Sequence, residues 1–401
     1  MKLLKLLPLL LFTSTGFAQQ SNSFNYLADL EYLRDTLPAK HTNLFAKISK
    51  EQFNTAINKI EIKANSLTYP SFSTELLKLK VAIGDEHTNI EPNFQQLFPI
   101  KFDIFEEGIF VTKTTADNAS FLVSELIAIN GKPIKAVIDD FREIIQYSNR
   151  SFFESRLLHF LNKPLILNGL GLIDTPTVLP ITLKNKNGTI SNHTIKAISQ
   201  TANPHQATAS GYQKPISNTK TGNYWFTTLS EQNTVYVNYN RCQEDPTYPF
   251  INFNNDLFKV IEKKKPTKII LDLRYNSGGN SAILKPFIEK IKSSYLNKKG
   301  KLYLLIGRDT FSSALMNAVT LKRTTKAILV GQATSGNINH YGEVRGFALP
   351  STKIIIAYST RYWETWKGKK GALHPDKSIT YSVKNYENGI DEALEYIFGK
   401  G

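Results

Sequence analysis

The sequence predicts an α/β protein with an N-terminal helical domain, a β-rich middle region and a C-terminal α/β domain. Three observations support this prediction. Apolar residues near the N-terminus recur every three or four positions, which is typical of amphipathic helices. The middle of the chain has short apolar runs separated by turn residues. From about residue 223, strand-like runs alternate with helical segments, which indicates a largely parallel sheet.

The first 18 residues predict a secretory signal peptide. Lys2 and Lys5 precede the apolar run 6–12, and the small residues at 14–18 offer a cleavage site after Ala18. No later segment is apolar over the length that a transmembrane helix needs. We therefore expect an exported protein, periplasmic or secreted, with no membrane span.

Composition sets limits on partners and on covalent cross-links. The chain has 401 residues, enough for two or three domains, and a formal net charge of +15, or +13 without the predicted signal peptide. The lysines are scattered in sequence, and a solvated turn explains the run 263–265, so we do not predict nucleic-acid binding. An anionic envelope surface or acidic substrates fit the charge. Cys242 is the single cysteine and excludes an internal disulfide.

Residues 19–97 are predicted to form the helical domain. Three apolar series have helical spacing, and short amphipathic helices of this kind pack as a small bundle. The series are Leu27, Leu30 and Leu33, then Phe53, Ile57 and Ile60, then Leu76, Leu79 and Ile83. The pattern ends at Gly84, shortly before His87.

Residues 98–199 are predicted to be β-rich. Asn130-Gly131 between two apolar runs predicts a tight turn. The segment resembles the strand and turn of a PDZ domain, a module that accepts peptide ends by strand addition. The polar stretch 200–222 is predicted to be a linker or loop.

Residues 223–401 are predicted to form the α/β domain. Functional groups of such domains gather where strands end and helices begin. The predicted strands are 235–239, 268–273, 302–306, 327–330 and 354–358, and the predicted helices are 250–262, 282–292 and 312–322.

Two strand-to-helix junctions are the strongest functional signals. At the first, Gly278 and Gly279 would let backbone N–H groups approach a ligand, although a plain turn after a buried strand is the alternative. At the second, Ser312 falls where a helix starts, where serine is also a favoured N-cap. A nucleophilic hydroxyl at that position would lie beside free backbone donors able to stabilise an oxyanion.

The chain from about residue 234 resembles the C-terminal-processing, or tail-specific, serine peptidase family. The matching segments are DLRYNSGG at 272–279, TFSSA at 310–314 and LVGQATSG at 329–336. The resemblance implies a ClpP/crotonase-type fold for this domain, with Ser312 as nucleophile. It also implies an oxyanion hole formed by Gly278 or Gly279 together with the N–H of Ser313.

The resemblance also bears on the general base. Many family members use a lysine at a position occupied here by Asn337, which cannot accept the proton. The tricorn-core and retinoid-binding-protein-like branch uses an upstream histidine, and GDEHT at 84–88 is similar to its Gly-Asp-x-His-Thr segment. His87 is therefore the predicted base, since imidazole titrates near neutral pH. His340 is the rival base, with substrate binding as its other role.

The acid that would orient His87 is not evident from the sequence. The related branch places a glutamate just before a Pro-Asp pair, and the matching positions here are Lys369 and Lys370. Glu364, Asp85 and Glu343 are the substitutes, of which we choose Glu343 because it follows Gly342 in a segment expected to border the site. The alternative for Glu343 is an exposed surface carboxylate.

The predicted activity is peptide-bond hydrolysis through a serine acyl-enzyme, acting on a protein or peptide substrate. The seven histidines show no paired metal-ligand spacing, so no metal and no cofactor are predicted. A catalytically silent peptide- or lipid-binding protein on the same fold is the alternative. An acyl-CoA enzyme of crotonase type is disfavoured by the signal peptide.

Overall fold

The computed structural model describes residues 24–202, 207 and 216–399. The predicted signal peptide, residues 1–18, lies outside the described residues, as does much of the predicted linker. No helix in the described part combines the length and the apolar character needed to cross a bilayer.

Three helices open the described chain and confirm the predicted helical region. They are α1 (Tyr26–Lys40), α2 (Lys50–Lys63) and α3 (Tyr69–Ile83). Each begins after a side chain that accepts a hydrogen bond from the first turn: Asn25, Ser49 and Thr68. Helix α3 ends at Gly84, whose φ of +78° suits glycine and turns the chain directly towards His87.

The middle region contains the predicted strands and three helices that the sequence did not predict. Its elements are β1 (Asn89–Glu91), β2 (Gln96–Leu97), β3 (Ile100–Ile104), β4 (Ile109–Thr114), β5 (Glu125–Ile129), β6 (Lys132–Pro133), α4 (Ile134–Phe141), α5 (Arg150–Phe160), α6 (Pro164–Gly169), β7 (Val178–Lys184), β8 (Ile190–Lys196) and β9 (Ile198–Ser199). The main sheet has the order β3-β4-β5-β7-β8, with β6 paired to β5. Asn130 and Gly131 both have positive φ and join β5 to β6, which confirms the tight turn.

The C-terminal region alternates strands and helices as predicted. Its elements are β10 (Tyr224–Leu229), β11 (Thr234–Tyr239), α7 (Phe250–Lys264), β12 (Lys268–Asp272), α8 (Lys285–Lys292), β13 (Leu302–Ile306), α9 (Ser313–Thr324), β14 (Ile328–Gly331), β15 (Asn339–Ala348), β16 (Ile355–Glu364), β17 (Lys377–Ser378), α10 (Val383–Glu387) and α11 (Glu392–Phe398). One sheet has the order β10-β11-β12-β13-β14-β17, and its strands from β11 to β17 are parallel.

The parallel sheet is buried on both faces, which positions the functional junctions. Residues of α7, α8 and α9 pack on one face, and residues of α11 pack on the other. Parallel strands end at the same edge, so the segments that follow β12 and β13 are neighbours there. Gly278 follows the first of these strands and Ser312 follows the second.

One predicted strand has a different role from the one expected. Residues 354–358 were predicted to continue the strand and helix alternation of the parallel sheet. Instead, β16 pairs antiparallel with β15 and with β1, in a separate three-stranded sheet. Leu349, Ile354 and Ile356 of this hairpin belong to the same apolar core as α1–α3 and the middle region. The hairpin therefore fixes the N-terminal part of the chain against the C-terminal domain.

Candidate active site

Ser312 occupies a strained turn between β13 and α9. Its φ of 52° and ψ of −123° lie in a region that non-glycine residues rarely adopt and that costs about 1–3 kcal/mol. Although Ser312 stands at the N-cap position, its side chain makes no capping hydrogen bond, so capping does not explain the serine. The Thr310 hydroxyl fixes the turn instead, since it accepts from Gly307 N–H and donates to Leu273 C=O.

Gly278 lies directly against the nucleophile turn. A Cβ at this position would be 2.9 Å from Ser312 Cβ and 3.1 Å from the nitrogen of Ser313, and its φ is +113°. The N–H of Gly278 already donates to Asn276 Oδ1, over 2.9 Å. The absence of a side chain at Gly278 therefore lets its backbone approach the Ser312 turn closely, but its N–H is not free to bind an oxyanion.

Two backbone N–H groups remain as candidate oxyanion donors. Ser313 N–H is in the first turn of α9, where helices leave donors unpaired. Gly279 is fixed by Cys242, because Asn280 N–H donates to Cys242 C=O at 2.7 Å on one side and Cys242 N–H donates to Gly278 C=O on the other. Neither donor has a backbone partner within the described residues. An open cleft of about 780 Å³ borders Gly279, and its lining includes Arg241, Cys242, Gly278 and Ile283.

His87 reaches the site from the N-terminal part of the chain. Its ring stacks on the ring of Phe311, with centroids 4.5 Å apart and planes inclined by 20°. It also stacks on His340, with centroids 4.8 Å apart. Because Phe311 immediately precedes Ser312, the structure brings His87, His340 and the serine turn together.

Asp85 holds the loop that carries His87. Its carboxylate accepts hydrogen bonds from His87 N–H, from Thr88 and from Ser359 Oγ, and it lies 3.1 Å from His41 Nε2. His41 Nδ1 accepts from Asn43 N–H, so Nε2 carries the proton and donates to Asp85. Burial favours a raised pKa of Asp85, but these hydrogen bonds overcome it and hold the pKa well below its usual range.

Among the described residues, no acid orients the imidazole of His87. Both of its ring nitrogens are buried without a hydrogen-bond partner, so the bond to Ser312 is also not formed in this structure. Burial, reinforced by the neighbouring His340, lowers the pKa of His87 to about 3. The ring is thus neutral at physiological pH and is a weak proton acceptor in this state.

Two basic side chains lie near the histidine, buried Lys80 and half-buried Arg156. Lys80 is 3% exposed, and its Nζ is 6.0 Å from the ring centre of Phe152. The guanidinium of Arg156 lies over Phe152 and over Phe311, at 5.3 and 5.7 Å. Burial and the charge of Arg156 lower the pKa of Lys80 to about 7. Both cations oppose protonation of His87.

His340 and Asn337 have defined partners. His340 is 6% exposed, and its Nδ1 is 2.7 Å from Asn337 C=O. Asn337 donates its N–H and its side-chain amide to the carboxylate of Glu86, at 2.9 and 2.7 Å. Asn337 therefore anchors the loop after β14 to the loop that carries His87.

The structure does not bring Glu343 into contact with His87. The Glu343 side chain is half exposed, and its carboxylate lies 3.7 Å from Arg361, as expected of a surface residue. The strand β15 carries both His340 and Glu343, but only His340 contacts the imidazole of His87. Asp85 contacts the His87 backbone and not its ring, and Glu364 is exposed.

Sequence reasoning missed several contributors to the site. The Phe311 ring, the pair His41 and Asp85, and the cations Lys80 and Arg156 come from four parts of the chain: the end of α1, α3 with the loop after it, α5, and the turn before α9. Only Asp85 was named as a candidate, through its place in GDEHT. The local sequence around Arg156 does not predict that α5 borders the site.

Comparison with solved structures identifies the fold of the whole chain. No protein-family model matches the chain, and no curated protein matches its sequence. The crystal structure of mature CPAF is similar, with a TM-score of 0.66 at 14% identity over 93% of this chain and 95% of that chain. The structure of mature CPAF complexed with lactacystin gives 0.66 at 14% over 93% and 96%.

The photosystem II D1 C-terminal processing protease is a more distant likeness, with a TM-score of 0.44 at 12% identity over 93% of this chain and 96% of that chain. The chain has the fold of CPAF over nearly its full described length. The predicted fold class is thereby confirmed.

Proposed function

We propose that the protein is an exported serine endopeptidase that hydrolyses peptide bonds through an acyl-enzyme on Ser312. The observation that carries this proposal is the strained backbone of Ser312 next to unpaired N–H groups of Gly279 and Ser313. Strain of this kind persists where the surrounding structure imposes it, and it clusters at functional sites. The CPAF fold supports the same chemistry.

The mechanism uses this chain's own groups. His87 takes the proton of the Ser312 hydroxyl, and the oxygen attacks the peptide carbonyl carbon. The resulting oxyanion accepts hydrogen bonds from Gly279 N–H and Ser313 N–H. His87 then gives its proton to the leaving amine as the C–N bond breaks, and water hydrolyses the ester. His340, which stacks on His87, is proposed to contact the substrate beside His87.

The alternative is a catalytically silent binding protein on this fold. The specific observation in its favour is His87, whose ring lacks an orienting carboxylate and has a pKa of about 3. General bases work best with pKa values close to the operating pH. Substrate binding would have to complete the site for His87 to become effective.

Labelling with a fluorophosphonate probe distinguishes the two functions. We expect the wild-type protein to label, and Ser312→Ala and His87→Ala to label at least 100-fold more slowly. Undiminished labelling of Ser312→Ala would disprove the assigned nucleophile. Absence of labelling in folded wild type would favour the binding protein.

Export is proposed from the N-terminal segment. Residues 1–18 have the layout of a signal peptide, and cleavage after Ala18 would leave Gln19 as the first residue. N-terminal sequencing of the protein from the periplasmic fraction or the medium checks this. An intact Met1 in the cytoplasmic fraction alone would contradict it.

A further inference from the structure

Lysines that are scattered in the sequence gather at one edge of the parallel sheet. The loops that precede β11, β12, β13 and β14 all lie at the edge where these strands begin. Contacts join the loops: Thr267 N–H donates to Asn233 C=O, Tyr295 Oη donates to Pro266 C=O, and Lys326 N–H donates to Asn297 Oδ1. They therefore form one continuous surface.

This surface is strongly basic. Seven exposed cations lie on it, and we call them the basic edge: Lys263, Lys264, Lys265, Lys298, Lys299, Arg323 and Lys326. None of the seven forms an ion pair with a residue in the described ranges, whereas the nearby Lys322 is paired with Asp376. Glu231 and Glu262 are the exposed acidic residues in the same loops and helix end.

The basic edge accounts for much of the protein's charge. Residues 223–401 contain 26 Lys and Arg against 15 Asp and Glu, a net charge of +11. Residues 19–222 contain 21 against 19, a net charge of +2. The positive charge is thus concentrated in the C-terminal domain, where seven of the 26 basic residues form the basic edge.

Helix stability explains only part of this concentration. Lys263, Lys264 and Arg323 stand at the ends of α7 and α9, where cations interact favourably with the helix dipole. Lys298, Lys299 and Lys326 belong to loops, where no such gain exists. Keeping them near the other cations costs repulsion, which an anionic partner would relieve.

The shape of the surface favours a broad partner. Strands lie about 4.8 Å apart, so the loops before β12 and β14 are separated by about 10 Å across the sheet, with the ends of α7 and α9 beside them. Exposed Tyr295 lies between Lys265 and Lys301, at 5.8 and 5.7 Å from its ring centre. Tyrosine and lysine together are typical of membrane interfaces.

We infer that the basic edge binds an anionic phospholipid surface. The edge lies opposite the ends of the strands that carry Gly278 and Ser312, about 17 Å away along a five-residue strand. Binding through this edge leaves the candidate active site facing away from the bilayer, open to substrate. The inference does not depend on the proposed peptidase activity.

Vesicle binding by the full chain tests the inference. Affinity is measured for phosphatidylcholine vesicles and for vesicles with about 30% phosphatidylglycerol, at about 0.1 M salt. Neutral vesicles report any contribution of residues 1–18. We expect tight binding to the anionic vesicles alone, and its loss at about 0.5 M salt.

Two triple variants with the same change in charge locate the surface. Lys298→Gln/Lys299→Gln/Lys326→Gln should weaken binding at least tenfold, since each lysine near an anionic surface contributes about fivefold. The control Lys50→Gln/Lys59→Gln/Lys135→Gln removes three exposed lysines of the helical and middle regions and should change affinity less than about threefold. Equal losses in both variants would overturn the assignment to the basic edge. Equal affinity for neutral and anionic vesicles would overturn the inference of a lipid surface. Binding to random duplex DNA, without binding to anionic vesicles, would overturn it as well.

Discussion

The imidazole of His87 and the ring of Phe311 are stacked 4.5 Å apart, although 224 positions separate the two residues in sequence. The stack joins the end of the helical bundle to the turn that carries Ser312. Phe311 also supports Arg156 on α5. The position of the candidate base is therefore set by apolar packing and by the Asp85 hydrogen bonds, and not by a carboxylate on its ring.

Strain at Ser312 predicts that Ser312→Gly is more stable than Ser312→Ala. Glycine adopts a φ of 52° without a Cβ penalty, whereas alanine keeps the strain. We expect a difference of about 1 kcal/mol in the free energy of unfolding, measured with urea. Both variants lack the hydroxyl, so the comparison isolates the backbone. Equal stabilities would contradict the strain.

Contact between Gly278 and Ser312 predicts loss of labelling in Gly278→Ala. The new Cβ would meet Ser312 Cβ at 2.9 Å and displace the nucleophile, so the labelling rate should fall at least about 100-fold. Gly300 is the matched control, because its φ is also positive but nothing lies within 4 Å of its Cβ position. Gly300→Ala should lose about 1 kcal/mol of stability and label normally.

Burial of His87 predicts an acid-sensitive contribution to stability. The pKa of His87 is about 3 in the folded protein and about 6.5 in the unfolded chain. Between these values the unfolded chain binds more protons, so stability is fully present above pH 6.5 and is lost as pH falls towards 3. The difference between wild type and His87→Gln should shift by about 2 kcal/mol between pH 7 and pH 5, in favour of the variant at low pH.

Urea unfolding at several pH values measures this difference. Since burial, together with the neighbouring His340, holds the pKa of His87 down, the labelling rate of wild type should also persist well below pH 6.5. A labelling midpoint near 6.5 would show that the ring is solvated in solution and would contradict the depressed pKa.

Substitution of two buried aspartates should lower stability in both cases but slow labelling in only one. Asp85→Asn and Asp29→Asn each remove a buried carboxylate that accepts several hydrogen bonds, and each should cost about 2–4 kcal/mol. Asp29 holds the turn at Ser351 and Thr352, away from His87. Folded Asp29→Asn should therefore label normally, whereas folded Asp85→Asn should label at least about tenfold more slowly. Normal labelling of both would exclude a positioning role for Asp85.

Local patterns were sufficient for the helices and strands that depend on their own sequence. Helices α1–α3 follow from apolar spacing and caps, and the turn at Asn130-Gly131 follows from its dipeptide. The helices α4–α6 were not predicted from local patterns, because short buried helices such as α6 lack a long periodic pattern. Strand β16 was predicted as a strand, but pairing partners are tertiary information.

The candidate site divides in the same way. Ser312, Gly278, Gly279, Ser313 and His87 lie in motifs whose local geometry is encoded nearby. The acid is different, because it needs to reach the ring only in space. Glu343 shares a strand with His340, yet its side chain is directed at Arg361. The basic edge was missed for the same reason, since loops 30 residues apart in sequence become neighbours only in the sheet.

The β15–β16 hairpin has a consequence for how the chain folds during synthesis. The first 200 residues leave the ribosome without Leu349, Ile354 and Ile356, which complete their apolar core. Until about 150 further residues have been made, that core exposes the surface which the hairpin later covers. The N-terminal part of the nascent chain therefore cannot complete its core as an independent domain before the hairpin has been synthesised. A holding chaperone has a defined surface to protect throughout that interval.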